Sequence, residues 1–309
     1  MQTDAFLAEL RQRFDPIDNG ARRLFHGRGG CFPGWEALTV DWYRPVALIT
    51  LHAPTPCLDE VVHGVEAVVG EPLACVLAQH RHLPDTPWQC LRGALPDPVW
   101  AWEAGLRYRL RLGRGQNIGF FPDMSAGRAL VRRLADGRRV LNLFAYTCSF
   151  SVAALAGGAT QVVNLDMNRG ALEAGRENHR DNGLELRRAS FLAHDLFKSF
   201  GKLRRLGPFD LVVVDPPSHQ GASFSARRDW SRLLQKLPPL LAPGAELVAC
   251  LNSLHLGPEF LLDQVAAHAP GCRPVAWLTP PEAFPDQSPE RGLKVLHCRW
   301  EGLAAGLGG

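Results

Sequence analysis

Residues Arg139–Asp166 read RVLNLFAYTCSFSVAALAGGATQVVNLD: an apolar run, a polar turn, a small-residue stretch of helical length, and a second apolar run that closes on a carboxylate. That order predicts one βαβ unit. In an open parallel sheet, ligands bind beyond the carboxyl ends of the strands. Asn142, Phe144 and the turn Tyr146-Thr147-Cys148-Ser149 are therefore expected to face a ligand, with Asp166 at the tip of the next strand. A carboxylate there can accept hydrogen bonds from ribose hydroxyls. The competing reading of Asp166 is a helix N-cap, a role that Asn168 could equally take.

Downstream of this unit the same grammar continues. Strands are expected at Val140–Phe144, Val162–Leu165, Phe191–Ala193, Leu211–Val214, Leu247–Leu251 and Pro274–Leu278, with Leu293–Trp300 as a seventh. Helices are expected at Phe150–Ala156, Arg169–Asn182, Leu196–Leu203, Arg228–Leu241 and Pro258–Ala269. Alternation of helices with continuous apolar strands predicts an α/β, Rossmann-like domain built on a seven-stranded, mostly parallel sheet covered on both faces. It is assigned residues 117–309.

Upstream, residues 1–116 predict a smaller, strand-rich α+β domain. Phe6, Leu7, Leu10 and Phe14 share a helical face over Thr3–Phe14; Leu38–Trp42 and Val46–His52 read as strands; Pro54–Val69 reads as loop and helix, and Leu73–Gln79 as a strand. LPDTPWQCLRGALPDPVW reads as loop. Leu106–Leu112 alternates apolar residues with Arg107, Arg109 and Arg111, the pattern of a strand with one basic face. A second basic group, Arg22, Arg23, His26 and Arg28, sits in a glycine-bearing segment. Each group is either a solvated face or a set of phosphate contacts.

The formal charge of +3 leaves a nucleic-acid partner to be argued from such local patches. The eight cysteines show no C-x-x-C spacing and the eleven histidines no spacing suited to a metal, so reduced thiols and no metal are expected. The opening residues form an amphipathic pattern with no leader-like apolar region, and no apolar run has membrane-spanning length; a cytoplasmic protein is expected.

The turn after the first strand carries no glycine, so neither G-x-G-x-x-G for a pyrophosphate nor the hydrolase elbow G-x-S-x-G is present. What fits is a ligand with an adenosine and no phosphate: Asp166 on the ribose, Met167 beside the adenine, and Asp195, after the third strand, on the adenine amino group or capping the next helix. Val212–His219 reads VVVDPPSH. Two consecutive prolines fix φ and remove donors, which holds Asp215 and the carbonyls of Pro216 and Pro217 as rigid acceptors suited to a substrate amine. His219, Phe224 and Trp230 follow, as candidates for stacking on a base or for packing.

The run RRVLNLFAYTCSFSVAALAGGATQVVNLDMNRGALEAGRENHRDNG, with GFFPDMSAGR before it and FDLVVVDPPSH after it, resembles class I methyltransferases of the large-subunit ribosomal RNA family, types I and K/L. The likeness runs from about Gln116 to the C-terminus, and the strand-rich part resembles that family's central domain. It implies S-adenosylmethionine as methyl donor and RNA as acceptor. The implied cofactor contacts are Asn142, Phe144, Asp166, Met167 and Asp195, with the turn residues Tyr146, Thr147, Cys148 and Ser149 and with Phe121 and Asp123 closing over the methionine end. The implied catalytic tip is Asp215, Pro216 and Pro217; Arg22, Arg23, Arg28, Arg107, Arg109, His219 and Asn252 are the substrate candidates.

The sequence departs from the family pattern in three places. Cys148 and Ser149 stand where the family keeps glycines in YTGGF. Type I members open with a PUA-type domain, and here only about a helix precedes the central part. Where type I members carry Ser-Cys-Ser, with the thiolate needed for cytosine C5 methylation, this sequence places Asn252-Ser253. Cys250 lies within the strand and reads as a small buried hydrophobe. A purine nitrogen of ribosomal RNA is therefore the expected target. A methyltransferase of proteins or small molecules, and a non-catalytic RNA-binding or assembly factor, stay as alternatives.

Overall fold

The computed structural model describes residues 3–217, 219–220 and 224–302. It divides into two compact units: the residues up to Asp123 with Pro281–Pro289, and Met124–Pro280 with the chain from Glu290 on. The break follows Asp123, and a short excursion late in the chain belongs with the first unit.

In the first unit, α1 (Thr3–Arg13), β1 (Arg22–His26), β2 (Leu38–Tyr43), β3 (Val46–Leu51), α2 (Leu58–Val69), β4 (Cys75–His80) and β5 (Trp88–Gly93) precede a separate ribbon, β6 (Trp100–Glu103) with β7 (Leu106–Arg109). The five-stranded sheet has the order β1-β2-β3-β4-β5, and only β3–β4 is a parallel pair. Every residue of β2 and β3 is buried. The apolar stripe of α2 (Val61, Val62, Val65, Val69) and Phe6 and Leu10 of α1 belong to the same core, where Phe6 stacks on Trp35 at 4.9 Å. One strand, β5, arises inside the stretch read as loop, and β6 begins at its last residue, Trp100. Residues of β5 alternate little and are mostly exposed, so a polar edge strand flanked by prolines gave no period-two signal.

The second unit contains α3 (Ser125–Leu134), β8 (Arg139–Leu143), α4 (Ser149–Ala156), β9 (Gln161–Asp166), α5 (Arg169–Asp181), β10 (Ala189–Ala193), α6 (Phe200–Leu206), β11 (Phe209–Val214), the short ribbon β12 (His219–Gln220) and β13 (Phe224–Ser225), α7 (Ala226–Lys236), β14 (Leu241–Asn252), α8 (Pro258–His268), β15 (Cys272–Trp277) and β16 (Leu293–Trp300). Its seven-stranded sheet has the order β10-β9-β8-β11-β14-β16-β15. The first five neighbours run parallel; β16 is antiparallel to both β14 and β15. Chain order reverses direction between β8 and β11, the topological switch point at which open α/β sheets bind ligands.

Alternate residues of each strand serve opposite faces. Leu141, Leu143, Val163, Leu165, Val212 and Val214 join one core with α7, while Val140, Val162, Leu211 and Val213 join another with α3 and α4. Trp230 is fully buried in the first of these cores, so it packs and does not present a stacking face. The helix expected over Leu196–Leu203 starts later, at Phe200, because Asp195 accepts from the amide of Lys198 at 3.1 Å and folds residues 195–199 into a turn. Glu246, buried in β14, is held by Nε2 of His297 at 2.8 Å and by the guanidinium of Arg299 at 2.8 Å, which is how a charge is tolerated inside the sheet.

Candidate active site

A cleft in the second unit is lined by Phe144, Leu165, Asp166, Met167, His194, Asp195, Leu196, Phe197 and Phe224. It lies at the carboxyl ends of β8, β9 and β10. Four of the residues expected from sequence meet in it: Phe144, Asp166, Met167 and Asp195. Leu196, Phe197 and His194 were not singled out for a ligand, and Phe224, read as a base-stacking candidate, instead meets the Phe144 ring edge-on at 5.2 Å as part of the cleft wall.

Asp166 is held from both sides. Its Oδ2 accepts from the amide of Tyr146 at 2.8 Å and its Oδ1 from the amide of Asn168 at 2.8 Å. The cap of α5 is Asn168, whose Oδ1 accepts from the amide of Ala171 at 3.0 Å. The carboxylate of Asp166 is thus fixed in orientation by backbone donors and keeps lone pairs for further donors.

The turn between β8 and α4 is left-handed at three non-glycine residues, Phe144 (φ 58°), Tyr146 (φ 47°) and Cys148 (φ 62°). Each such residue costs on the order of 1 kcal/mol, and such strain persists where the surroundings over-determine the backbone. Here three contacts do so. Asp166 takes the amide of Tyr146; Nδ2 of the buried Asn178 donates to the carbonyl of Thr147 at 3.0 Å; and the Cys148 side chain is fully buried against Ala145 and Leu172. Cys148 points into Gly175 of α5, where an added Cβ would stand 2.9 Å from the Cys148 Cβ. The missing glycine of the turn is therefore matched by a glycine on the helix behind it, and the cysteine faces the core. Burial, and secondarily the charge of Asp166, push the Cys148 thiol well above its ordinary range, so it is inert as a nucleophile.

This packing makes a specific prediction. Gly175→Ala should destabilise the protein by about 1–3 kcal/mol through overpacking, and Cys148→Gly should relieve part of that loss. Thermal melts of the two single variants and the double variant check it; strict additivity would mean that the two residues do not share the contact.

Asn142 does not line the cleft. It is buried in the sheet, where its Nδ2 donates to Oδ1 of Asn164 at 2.9 Å, while its own Oδ1 finds no hydrogen-bond partner. Nδ2 of Asn164 donates to Oγ of Ser151 at 3.0 Å, and Ser151 meets Nε2 of His179 at 2.8 Å. The carbonyl of Gly175, 2.6 Å from Nδ1 of His179, can only accept, so the proton sits on Nδ1 and Nε2 accepts from Ser151. Burial lowers the pKa of His179 to about 4. Because the folded value lies below the unfolded value of about 6.5, only the unfolded state takes up this proton between those limits, and up to roughly 3 kcal/mol is lost as pH falls through that window. A His179→Gln variant is expected to lose less melting temperature than the parent between about pH 7 and pH 5; equal losses would contradict the assignment.

Asp215, Pro216 and Pro217 follow β11 directly, on the other side of the switch point from the Phe144–Cys148 turn, with Pro216 buried and the other two half-buried. Asn252 is exposed at the end of β14. The backbone of His219 pairs with Ser225 in the short ribbon, and its side chain lies outside the described residues.

Phe121 and Asp123 fall in the first unit; Phe121 is exposed, and Asp123 helps to keep Arg23 charged. Four of the five arginine candidates are engaged within the chain. Arg22 pairs with Asp18; Arg23 makes a two-pronged pair with Asp41 at 2.7 and 3.0 Å and lies over Phe284; Arg107 lies over Trp100 at 4.8 Å; and Arg109 pairs with Asp97 at 3.3 Å. Arg28, by contrast, is exposed. Among the described residues no cluster of His, Cys, Asp and Glu could hold a metal, and no helix is long and apolar enough to cross a membrane.

The cleft has the make-up of an adenosine site, with aromatic and aliphatic walls and one carboxylate at the tip of each of two adjacent strands, and the sheet order is that of a nucleotide-type fold. The chain belongs to the S-adenosylmethionine-dependent methyltransferase family, whose model matches residues 22–299. It is similar to the ribosomal RNA large subunit methyltransferase I of Aeromonas salmonicida (35% identity, covering 51% of this chain and 41% of that protein). It is also similar to a ribosomal RNA large subunit methyltransferase of Deinococcus radiodurans (31% identity, covering 83% and 66%). The chain therefore spans less than two thirds of the length of these relatives. A solved structure of a candidate methyltransferase complexed with SAH shares the fold, with a TM-score of 0.85 at 23% identity over 97% of this chain and 82% of that one.

Proposed function

We propose that this protein methylates a purine nitrogen of ribosomal RNA, using S-adenosylmethionine. The observation that carries the reading is the pairing, around one switch point, of the carboxylate-edged cleft with the rigid Asp215-Pro216-Pro217 tip. S-adenosylmethionine supplies the electrophilic methyl group. Asp166 would hold the ribose hydroxyls and Asp195 the adenine amino group, while Phe144, Leu196, Phe197 and Phe224 keep water from the adenosine. Asp215 and the carbonyls of Pro216 and Pro217 accept hydrogen bonds from the acceptor's N–H groups and aim its lone pair, so the gain comes from positioning.

A purine nitrogen is favoured over cytosine C5 by the thiols. C5 chemistry needs a thiolate nucleophile, and all four cysteines of the second unit, Cys148, Cys250, Cys272 and Cys298, are buried. Burial further pushes Cys272 up to about 11 and Cys298 to about 12. Asn252 supports the same choice by standing where a nucleophilic cysteine would be needed. The names of the two ribosomal RNA methyltransferase relatives support RNA as acceptor. The non-catalytic alternative drew on Cys148 and Ser149 replacing glycines, and it loses force because the Cys148 side chain packs into Gly175 and away from the cleft. Mass mapping of ribosomal RNA nucleosides from cells with and without the protein tests the reading: a methylpurine missing from the deletion strain supports it, and an unchanged inventory counts against it.

A further inference from the structure

One edge of the five-stranded sheet in the first unit collects cations from three strand ends. β1 ends at His26, opposite Thr39 of β2; β3 ends at Leu51, opposite Leu38 of β2 and His80 of β4. The residues that follow these ends, Arg28, His52, Arg81 and His82, therefore emerge at the same edge. Arg28 is carried on a locked turn. A Cβ on Gly27 or on Gly29 would run into the carbonyl of Trp35 or of Pro285, the Gly29 carbonyl accepts from the amide of Gln287 at 2.8 Å, and left-handed Gly30 closes the turn on Gly27 at 2.9 Å. His82 is fixed as well, with Nδ1 donating to the carbonyl of Leu51 at 3.3 Å, a carbonyl that also takes the amide of Arg81.

Arg23 is neutralised by Asp41, but neither Arg28 nor Arg81 has a carboxylate partner among the described residues. Burial is the main cause that disfavours the charge on both; Arg81 also feels the charge of Arg28, and Arg28 that of Arg23, while burial together with the charges of Arg28 and Arg81 holds His52 uncharged, with its pKa lowered to about 3. An exposed Arg28 and a partly buried Arg81, set beside the uncharged His52, are best completed by an anion. Tetrahedral, multiply accepting phosphates suit two guanidinium groups best.

We propose that Arg28 and Arg81, with His52 beside them, form a phosphodiester-binding site of the first unit that takes the RNA backbone. The inference rests on the RNA reading above and assigns that role to a pair distinct from the arginines of residues 107–114. It is tested by fluorescence anisotropy of a labelled single-stranded RNA of about 20 nucleotides, titrated with the full chain at salt concentrations from about 50 to 200 mM.

An Arg28→Gln/Arg81→Gln variant is expected to bind at least about tenfold more weakly. Its plot of log affinity against log salt should be shallower by about 1.4, the share of two phosphate contacts on a single strand. Arg28→Lys/Arg81→Lys, which keeps the charge, should retain most of the slope and controls for loss of fold. Tight parental binding with unchanged affinity and slope in the glutamine variant overturns this site while leaving the RNA reading intact. No RNA binding by the parent overturns both. Arginine-dependent binding of inorganic phosphate alone, with none of RNA, overturns the RNA assignment.

Discussion

Replacing Asp215 by alanine is expected to lower kcat by roughly 10²- to 10³-fold while leaving the affinity for S-adenosylhomocysteine unchanged. The split follows from position. Asp215 stands at the end of β11, across the switch point from the turn that follows β8, and it is not among the residues that line the cleft. With the two prolines in place the tip keeps its shape, so what is lost is an acceptor for the substrate amine. Single-turnover transfer with saturating cofactor measures kcat, and calorimetry with S-adenosylhomocysteine measures binding. A variant with parental kcat would remove Asp215 from the reaction; one that loses cofactor affinity in the same measure would move it to the cofactor site.

The converse pattern is expected for Asp166→Ala: a loss of cofactor affinity on the order of 100-fold or more, from missing charge-assisted bonds to the ribose and a turn that no longer holds its shape. Two structural contacts are lost at once, because Asp166 also takes the amides of Tyr146 and Asn168. The Tyr146 contact helps to hold a backbone that is left-handed at three non-glycine residues, so loosening should be visible as faster amide exchange over residues 144–149 even without ligand. Calorimetric titration gives the affinity; parental affinity in Asp166→Ala would refute the ribose assignment.

Much of the sheet was legible because its strands are buried on both faces and read as continuous apolar runs, and β16 came out with its exact bounds, Leu293–Trp300. Strand β14 did not, because Pro243 and Gly244 interrupt its first half, where the pairing with β11 is also irregular. Helix α3 was missed ahead of β8: SAGRALVRRL is rich in arginine, and one of those arginines, Arg128, is buried.

At the site, strand tips and their carboxylates could be read from order alone, and so Asp166, Met167 and Asp195 were expected where the cleft now lies. The fate of Cys148 could not, since it depends on Gly175, a residue on another element. The partners of the arginines were hidden for a related reason. Alternation along a strand says which side chains share a face, but not that Trp100 and Asp97 meet Arg107 and Arg109 there.

The most direct test of methyl transfer to RNA is incubation of the purified protein with labelled S-adenosylmethionine and ribosomal RNA from cells lacking it, followed by nucleoside digestion and chromatography. The predicted result is label in a single methylpurine, absent when Asp215→Ala replaces the parent. Cofactor binding with no label entering RNA would contradict the RNA assignment, and label in 5-methylcytidine would contradict the choice of a purine nitrogen.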